Sequence, residues 1–287
     1  MATVAIVGAG DIGGATAQAL ASCDGVHRIW LVDAAADAAA GKALDLQQAG
    51  AVTGQHTRVE GTSDEGRLIG CAVCVIADRF GVDASERPNG EWQGDEGLSM
   101  LKRITLSLGD APVVCAGTSH AGLLSRLAGD TQIRRERLIG SSTDALASAI
   151  TAIVAMEASC SPREVMLTVL GAPPDGFVVP WGEASVGGYA MQRVLSQVQL
   201  RRVEARVARL WPPGPYALGA AAARVTSAIL SNSRRSFSII TQLDGEFGVR
   251  RRPGALPARL AAGGIAHVRV PTLDTREHVR LQTALAR

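Results

Sequence analysis

A hexapeptide near the start of the chain, Gly8-Ala9-Gly10-Asp11-Ile12-Gly13, constrains the fold more than any other feature. An apolar run, Val4 to Val7, precedes it, and the helix-forming stretch Ile12 to Ser22 follows. In a strand–turn–helix setting each glycine has a physical task. Gly8 makes the tight turn, Gly10 lets backbone approach a pyrophosphate, and Gly13 lets helix and strand pack closely. The helix start, with Asp11 and Ile12 in its first turn, points backbone N–H groups and the positive end of its dipole at an anion. A second apolar run, Ile29 to Val32, ends in Asp33, twenty residues past Gly13. A carboxylate there can bind both hydroxyls of a ribose. It also repels a 2′-phosphate, and Ala34 to Ala36 supply no arginine to receive one. The unit predicts a dinucleotide site for NAD rather than NADP.

Beyond this unit, the first half alternates short apolar runs with amphipathic stretches. Val4 to Val7, Ile29 to Val32, Ala72 to Ile76, Val113 to Ala116 and Arg137 to Ile139 read as strands apolar on both faces. Helical spacing covers Ile12 to Ser22, Ala35 to Gln48, Glu96 to Leu108 and Ala121 to Ala128. That rhythm predicts an α/β fold, a doubly wound parallel (Rossmann) sheet, over 1–141. From 142 to 287 the pattern is a mixed α+β domain. Its helices are expected over Asp144 to Ala158, Tyr189 to Leu210, Tyr216 to Leu230 and Asp274 to Ala286. Its strands are expected over Val165 to Leu170, Phe237 to Leu243 and Ala266 to Val270.

Composition narrows the function. A net charge of +2 gives no electrostatic footprint for nucleic acid or an anionic membrane surface. The longest apolar run, Ala145 to Ala158, is interrupted by Ser148, Thr151 and Glu157 and reads as a buried helix, not a membrane span. No secretory leader pattern opens the sequence. The five cysteines are scattered through apolar segments, as in a reduced cytoplasmic protein. Cys71 and Cys74 form a C-x-x-C pair, but in a strand their side chains would point to opposite faces, and no second pair completes a metal site. No metal is expected.

Over nearly its whole length the chain resembles the L-lactate/malate dehydrogenases, NAD-dependent 2-hydroxy acid dehydrogenases. The resemblance rests on VAIVGAGDIGGATAQALA, LVDAAADAAAGKALDLQQAG, RLIGSSTDALASA, VLGAPPDGFVVPWGEASVGGY and AAAARVTSAILSNSRRSFSIITQLDGEFGV. It implies a Rossmann half, a substrate half, hydride transfer between NAD and a small 2-hydroxy acid, and a homodimer or homotetramer.

The residues that carry this family's chemistry are replaced one by one. Its histidine base lies in L-G-x-H-G-D; here the run is Leu170-Gly171-Ala172-Pro173-Pro174-Asp175, with Pro173 at the histidine position. In the family's L-D-S-x-R stretch, Leu146 falls on the aspartate and Ala149 on the arginine that grips the substrate carboxylate. The asparagine of its N-P-V-D turn falls at about Gly117. Gly94 is the gap-free match to the loop arginine. The T-A-G turn beneath the cofactor becomes Ala77-Asp78-Arg79, which places bulk where close backbone approach is expected. Alanine and proline supply neither a proton acceptor nor a forked cation, so the usual 2-hydroxy acid site reads as degenerate.

Replacement chemistry has few candidates. His120 follows the strand ending at Ala116, and Asp175 follows Pro174; either could take over proton transfer in a diverged oxidoreductase. Arg79 and Arg87 could receive a small anionic metabolite. Gly117-Thr118-Ser119-His120-Ala121 approaches the G-x-S-x-G nucleophile elbow of a serine hydrolase, with alanine at its fifth position. Ser119 as a helix cap accounts for the same residues. Three readings stay open: an NAD-binding protein without catalysis, a diverged NAD-dependent oxidoreductase, and a Ser119 hydrolase.

Overall fold

The protein is described by a computed structural model covering residues 2–81, 90–130 and 133–286. The first strand, β1 (Ala2–Val7), is apolar on both faces, and Val4 to Val7 are fully buried. Burial of such side chains contributes roughly 1.5–3 kcal/mol each for the larger ones. After the glycine turn come α1 (Asp11–Ala21), β2 (Val26–Val32), α2 (Ala36–Thr53), β3 (Arg58–Thr62) and β4 (Val73–Ile76). Then follow α3 (Gly94–Ser107), β5 (Val113–Cys115), α4 (His120–Asp130) and β6 (Leu138–Gly140). These six strands pair in parallel in the order β3-β2-β1-β4-β5-β6. The chain runs outward from β1 to β3 and restarts on the other side at β4. The crevice between β1 and β4 is therefore the switch point where α/β sheets bind ligands.

The second half begins with α5 (Ser142–Ala158). Short strands follow: β7 (Val165–Met166), β8 (Leu170–Ala172), β9 (Gly176–Val178), β10 (Ser185–Val186) and β11 (Tyr189–Ala190). Next are α6 (Met191–Val194), α7 (Gln197–Val207), α8 (Pro215–Leu230), β12 (Ser236–Asp244), β13 (Arg250–Ala261), β14 (Gly264–Val268) and α9 (Thr275–Ala286). The parallel sheet does not stop at β6. Ile240 of β12 pairs antiparallel with Gly140, and β13, β8 and β9 extend the same sheet, with β14 on β13. β7, β10 and β11 form a separate three-stranded sheet.

Several boundaries differ from the sequence expectation. β3 was not expected, because Arg58-Val59-Glu60-Gly61-Thr62 buries a single side chain, Val59, on an edge strand. The run 189–210 is not one helix. Ser196 and Gln199 form a reciprocal capping box that starts α7 afresh. The strand expected over 165–170 is split into β7 and β8. The strand expected over 266–270 is shifted, and β14 spans Gly264–Val268. The C-x-x-C pair is corrected as well. β4 begins at Val73, so Cys71 lies outside it, and both thiols enter the same apolar layer.

Candidate functional site: a dinucleotide cleft and the cavity beside it

Strand register sets the site. Val7 stands level with Val32 on one side and Ile76 on the other, so β1, β2 and β4 end together. Gly8, Asp33 and Asp78 are thereby brought to one rim. Gly8 takes a left-handed turn (φ +95°), and its N–H donates to Val32 O at 2.8 Å. A methyl group on Gly10 would sit 2.5 Å from Asp78 Cγ, and one on Gly13 would strike the Gly8 carbonyl. Gly8 thus makes the turn and Gly13 a close helix–strand approach, while the space beside Gly10 is taken by the Asp78 side chain.

Asp33 is buried. Its carboxylate accepts from Ala9 N–H at 2.9 Å, Ala35 N–H at 3.0 Å and Gly81 N–H at 2.9 Å. Asp78 reaches the first turn of α1, where Oδ1 accepts from Ile12 N–H at 3.2 Å and Oδ2 from Gly13 N–H at 2.7 Å. Burial pushes the Asp78 carboxyl up to about 6; the Gly13 and Ile12 donors and Lys42 pull it down, and Glu91 adds to the rise. Lys42 Nζ donates to Gly10 O at 2.7 Å, so a cation flanks the turn.

The connection that carries Asp78 returns to the rim with Glu91. Its carboxylate accepts from Ser119 N–H at 2.7 Å and from Thr118 Oγ1 at 3.1 Å, at the start of α4. Burial alone would raise the Glu91 carboxyl; the neighbouring His120 and the Ser119 and Thr118 donors outweigh it and hold it below its ordinary range. The ends of the connection are clasped. Arg79 N–H donates to Gly90 O at 2.8 Å, and Phe80 meets Trp92 edge-on at 5.3 Å.

His120 is 1% exposed and lies under this loop. Its Nδ1 accepts from Gly117 N–H at 3.1 Å, which assigns the proton to Nε2, and Nε2 has no hydrogen-bond partner among the described residues. Burial holds the imidazole below its usual range, and Glu91 opposes this without reversing it. His120 is thus enclosed beneath Glu91 and the β5–α4 turn.

Beside this cluster is a cavity of about 230 Å³ between the β5–α4 turn and the β8–β9 turn. Thr118, Ser119, Pro173, Pro174, Asp175 and Ile240 contribute to its wall. Asp175 is the one ionisable side chain among its described lining residues. Ser119 Oγ accepts from Gln93 Nε2 at 3.2 Å, and His120 Nδ1 is taken by the Gly117 N–H rather than by Ser119. At the start of α4 the Ser119 N–H is taken by Glu91. Arg79 forms an exposed ion pair with Glu96 at 3.0 Å. Arg87 lies outside the described residues. No group of three or more His, Cys, Asp or Glu able to hold a metal occurs among the described residues.

The comparisons agree with this architecture. Residues 2–81 match the family model described as lactate/malate dehydrogenase, NAD binding domain. A malate dehydrogenase of Methanosarcina mazei is 27% identical over 284 residues, covering 93% of this chain and 91% of its own. The solved malate dehydrogenase of Salinibacter ruber superposes with a TM-score of 0.85 at 24% identity, covering 99% of this chain and 94% of that one. The minor L-lactate dehydrogenase of Enterococcus mundtii superposes with a TM-score of 0.85 at 20% identity, covering 99% and 95%. Residues 2–81 thus match a lactate/malate dehydrogenase NAD-binding domain, and the chain over its length is similar to malate dehydrogenases and shares their fold.

Within the lactate/malate dehydrogenase frame, the positions that depart from the family pattern can now be placed. Pro173 is on the cavity wall. Leu146 is fully buried in the apolar cluster under α5, and Ala149 is one turn further along that helix. The acidic residue of the stretch, Asp144, turns the other way and pairs with Arg224 of α8. Gly94 starts α3 at φ +58°. The cradle for the family's cofactor fits on backbone grounds: a glycine turn without room for side chains, a helix start, and a carboxylate at the end of β2. The exception is Asp78, whose carboxylate already sits on the helix start. The sequence shows Asp78 as bulk in the T-A-G turn; Glu91 it does not mark, because nothing local links it to α4.

Proposed function

We propose that this chain is an NAD-binding member of the lactate/malate dehydrogenase family that does not carry out the family's ordinary oxidation of lactate or malate. The observation that carries the reading is Pro173 on the wall of the cavity, where the resemblance puts a histidine base. Bound NAD supplies hydride chemistry. Gly8, Gly10, Gly13 and the first-turn amides of Asp11 and Ile12 would hold its phosphates, and Asp33 its adenosine ribose. Among its described lining residues the cavity has no proton acceptor paired with an arginine for the substrate carboxylate; loss of a general base alone typically costs about 10²–10⁴ in rate. The family resemblance also supports a homodimer or homotetramer.

Calorimetric titration of NAD and NADH tests the binding half, with Asp33→Ala expected to abolish it. NADH oxidation with pyruvate, oxaloacetate and longer 2-oxo acids tests the other half. Turnover in the usual range of roughly 1–10³ s⁻¹ would sink the reading. A second reading is favoured by Asp175, the cavity's ionisable wall residue. It is a diverged oxidoreductase in which Asp175 takes the proton from a substrate other than a simple 2-hydroxy acid. Turnover that Asp175→Asn removes would establish it.

A further inference from the structure

A helix start can serve one anion at a time. In this protein the first turn of α1 already serves one, because the Asp78 carboxylate takes the Ile12 and Gly13 N–H groups at 3.2 and 2.7 Å. The contact is built in. Asp78 is 8% exposed, its Cγ fills the space that Gly10 leaves by having no side chain, and the parallel register of β1 and β4 fixes its height. Three residues on, Gly81 N–H donates to Asp33, the carboxylate that a ribose would use. The segment 78–81 thus engages both halves of the cleft at once. The same connection puts Glu91 on the start of α4.

We infer that Asp78 is a resident anion in the phosphate seat, so that a dinucleotide binds this chain only by displacing the 78–81 segment from α1 and Asp33. The inference rests on the reading of the cleft as an NAD site. A pyrophosphate and the Asp78 carboxylate would compete for the same amides while repelling each other. The donors that Asp78 gives up pass to the phosphate, so the cost lies in moving the segment away from its clasp, Phe80 on Trp92 and Arg79 on Gly90. The charged groups facing Asp78 are Lys42 from α2, which favours its ionised form, and Glu91 from its own connection, which opposes it. Asp33 at the end of β2 is tied to the same segment through Gly81. Below about pH 6 the seat holds a neutral carboxyl, and the repulsion against phosphate disappears.

The test is calorimetric titration of NAD and of ADP-ribose into the wild-type chain and Asp78→Ala at pH 7.5. The expected result is a Kd at least tenfold lower in the variant. Wild-type protein titrated at pH 5 and pH 7.5 reads the same effect without a mutation. Its Kd falls on acidification, and Asp78→Ala loses that difference. If the wild type binds NAD and the variant binds within twofold of it, the inference is overturned and the NAD reading stands. If neither binds at millimolar ligand, with the variant folded by circular dichroism, both fall. Should the variant not fold, the wild-type pH series decides alone, and a flat Kd overturns the inference.

Discussion

Replacing Asp78 by asparagine should make the protein more stable at neutral pH and less dependent on pH. Burial raises the Asp78 carboxyl from its ordinary 3.8 to about 6, so the native chain binds that proton more tightly than the unfolded chain does. The sign follows from linkage: this contribution is fully present below about pH 4 and is lost as pH climbs through about 6. At 1.36 kcal/mol per unit, the ionised carboxylate costs the fold roughly 3 kcal/mol at pH 7 relative to acid conditions. Asp78→Asn removes that cost. It keeps one acceptor for the Ile12 or Gly13 N–H and leaves the other donor facing an NH₂, a loss of about 1 kcal/mol. The net expectation is a gain of about 2 kcal/mol at pH 7.5 and a loss of about 1 kcal/mol at pH 4. For a chain of this size each kcal/mol moves Tm by roughly 2–4 °C. Thermal unfolding followed by circular dichroism at half-unit steps from pH 4 to pH 8 measures the difference. A wild-type minus variant difference that stays flat across this range, or that grows in favour of the wild type as pH rises, refutes the reasoning.

Two further outcomes follow from buried groups away from the cleft. Asp144 is fully enclosed, burial pushes its carboxyl up, and Arg224 is its ion-pair partner; Arg224→Met should cost about 3 kcal/mol, and adding Asp144→Asn should restore most of the loss in a thermal melt. The Cys71 thiol is pushed up to about 11 and that of Cys115 to about 12 by burial, so both, with the buried Cys74, should resist a thiol-specific chromogenic reagent until the chain is unfolded. Rapid labelling of Cys71 and Cys74 in the native protein would reopen a redox role for the C-x-x-C pair.

The legible parts of this fold are those whose signals are local. Val4 to Val7, the three glycines and Asp33 announce β1, α1 and β2 because turn, helix start and strand end lie within one short stretch. β3 is hidden, since Val59 is its sole buried side chain and pairing with β2, not composition, makes it a strand. The site is half legible for the same reason. Pro173, Leu146 and Ala149 can be read as replacements against a family pattern. The cavity itself cannot, because its walls come from Thr118 and Ser119 on one turn and from Pro173 to Asp175 on another. His120 shows the limit of reading a residue type by position. A histidine at the carboxyl edge of a sheet invites a catalytic role, but its burial and its bond from Gly117 belong to the folded chain and leave no mark in the sequence. Asp78 is visible as bulk, whereas its bonds to Ile12 and Gly13 depend on the level at which β4 ends beside β1.

The join between β6 and β12 has a practical side. A methyl group on Gly140 would come within 2.9 Å of Ile240 Cβ, so the two strands meet with no spare space. Cutting the chain after residue 141 would strip the cover from Leu138, Ile139 and Gly140, all buried in the intact protein. A short apolar strand with unpaired amides on one side is a template for joining other chains edge to edge. The nucleotide half is therefore a poor candidate for a portable module. Expressed alone it would tend to polymerise through that bare edge, and a fragment made to study NAD binding would need β12 and β13 grafted alongside.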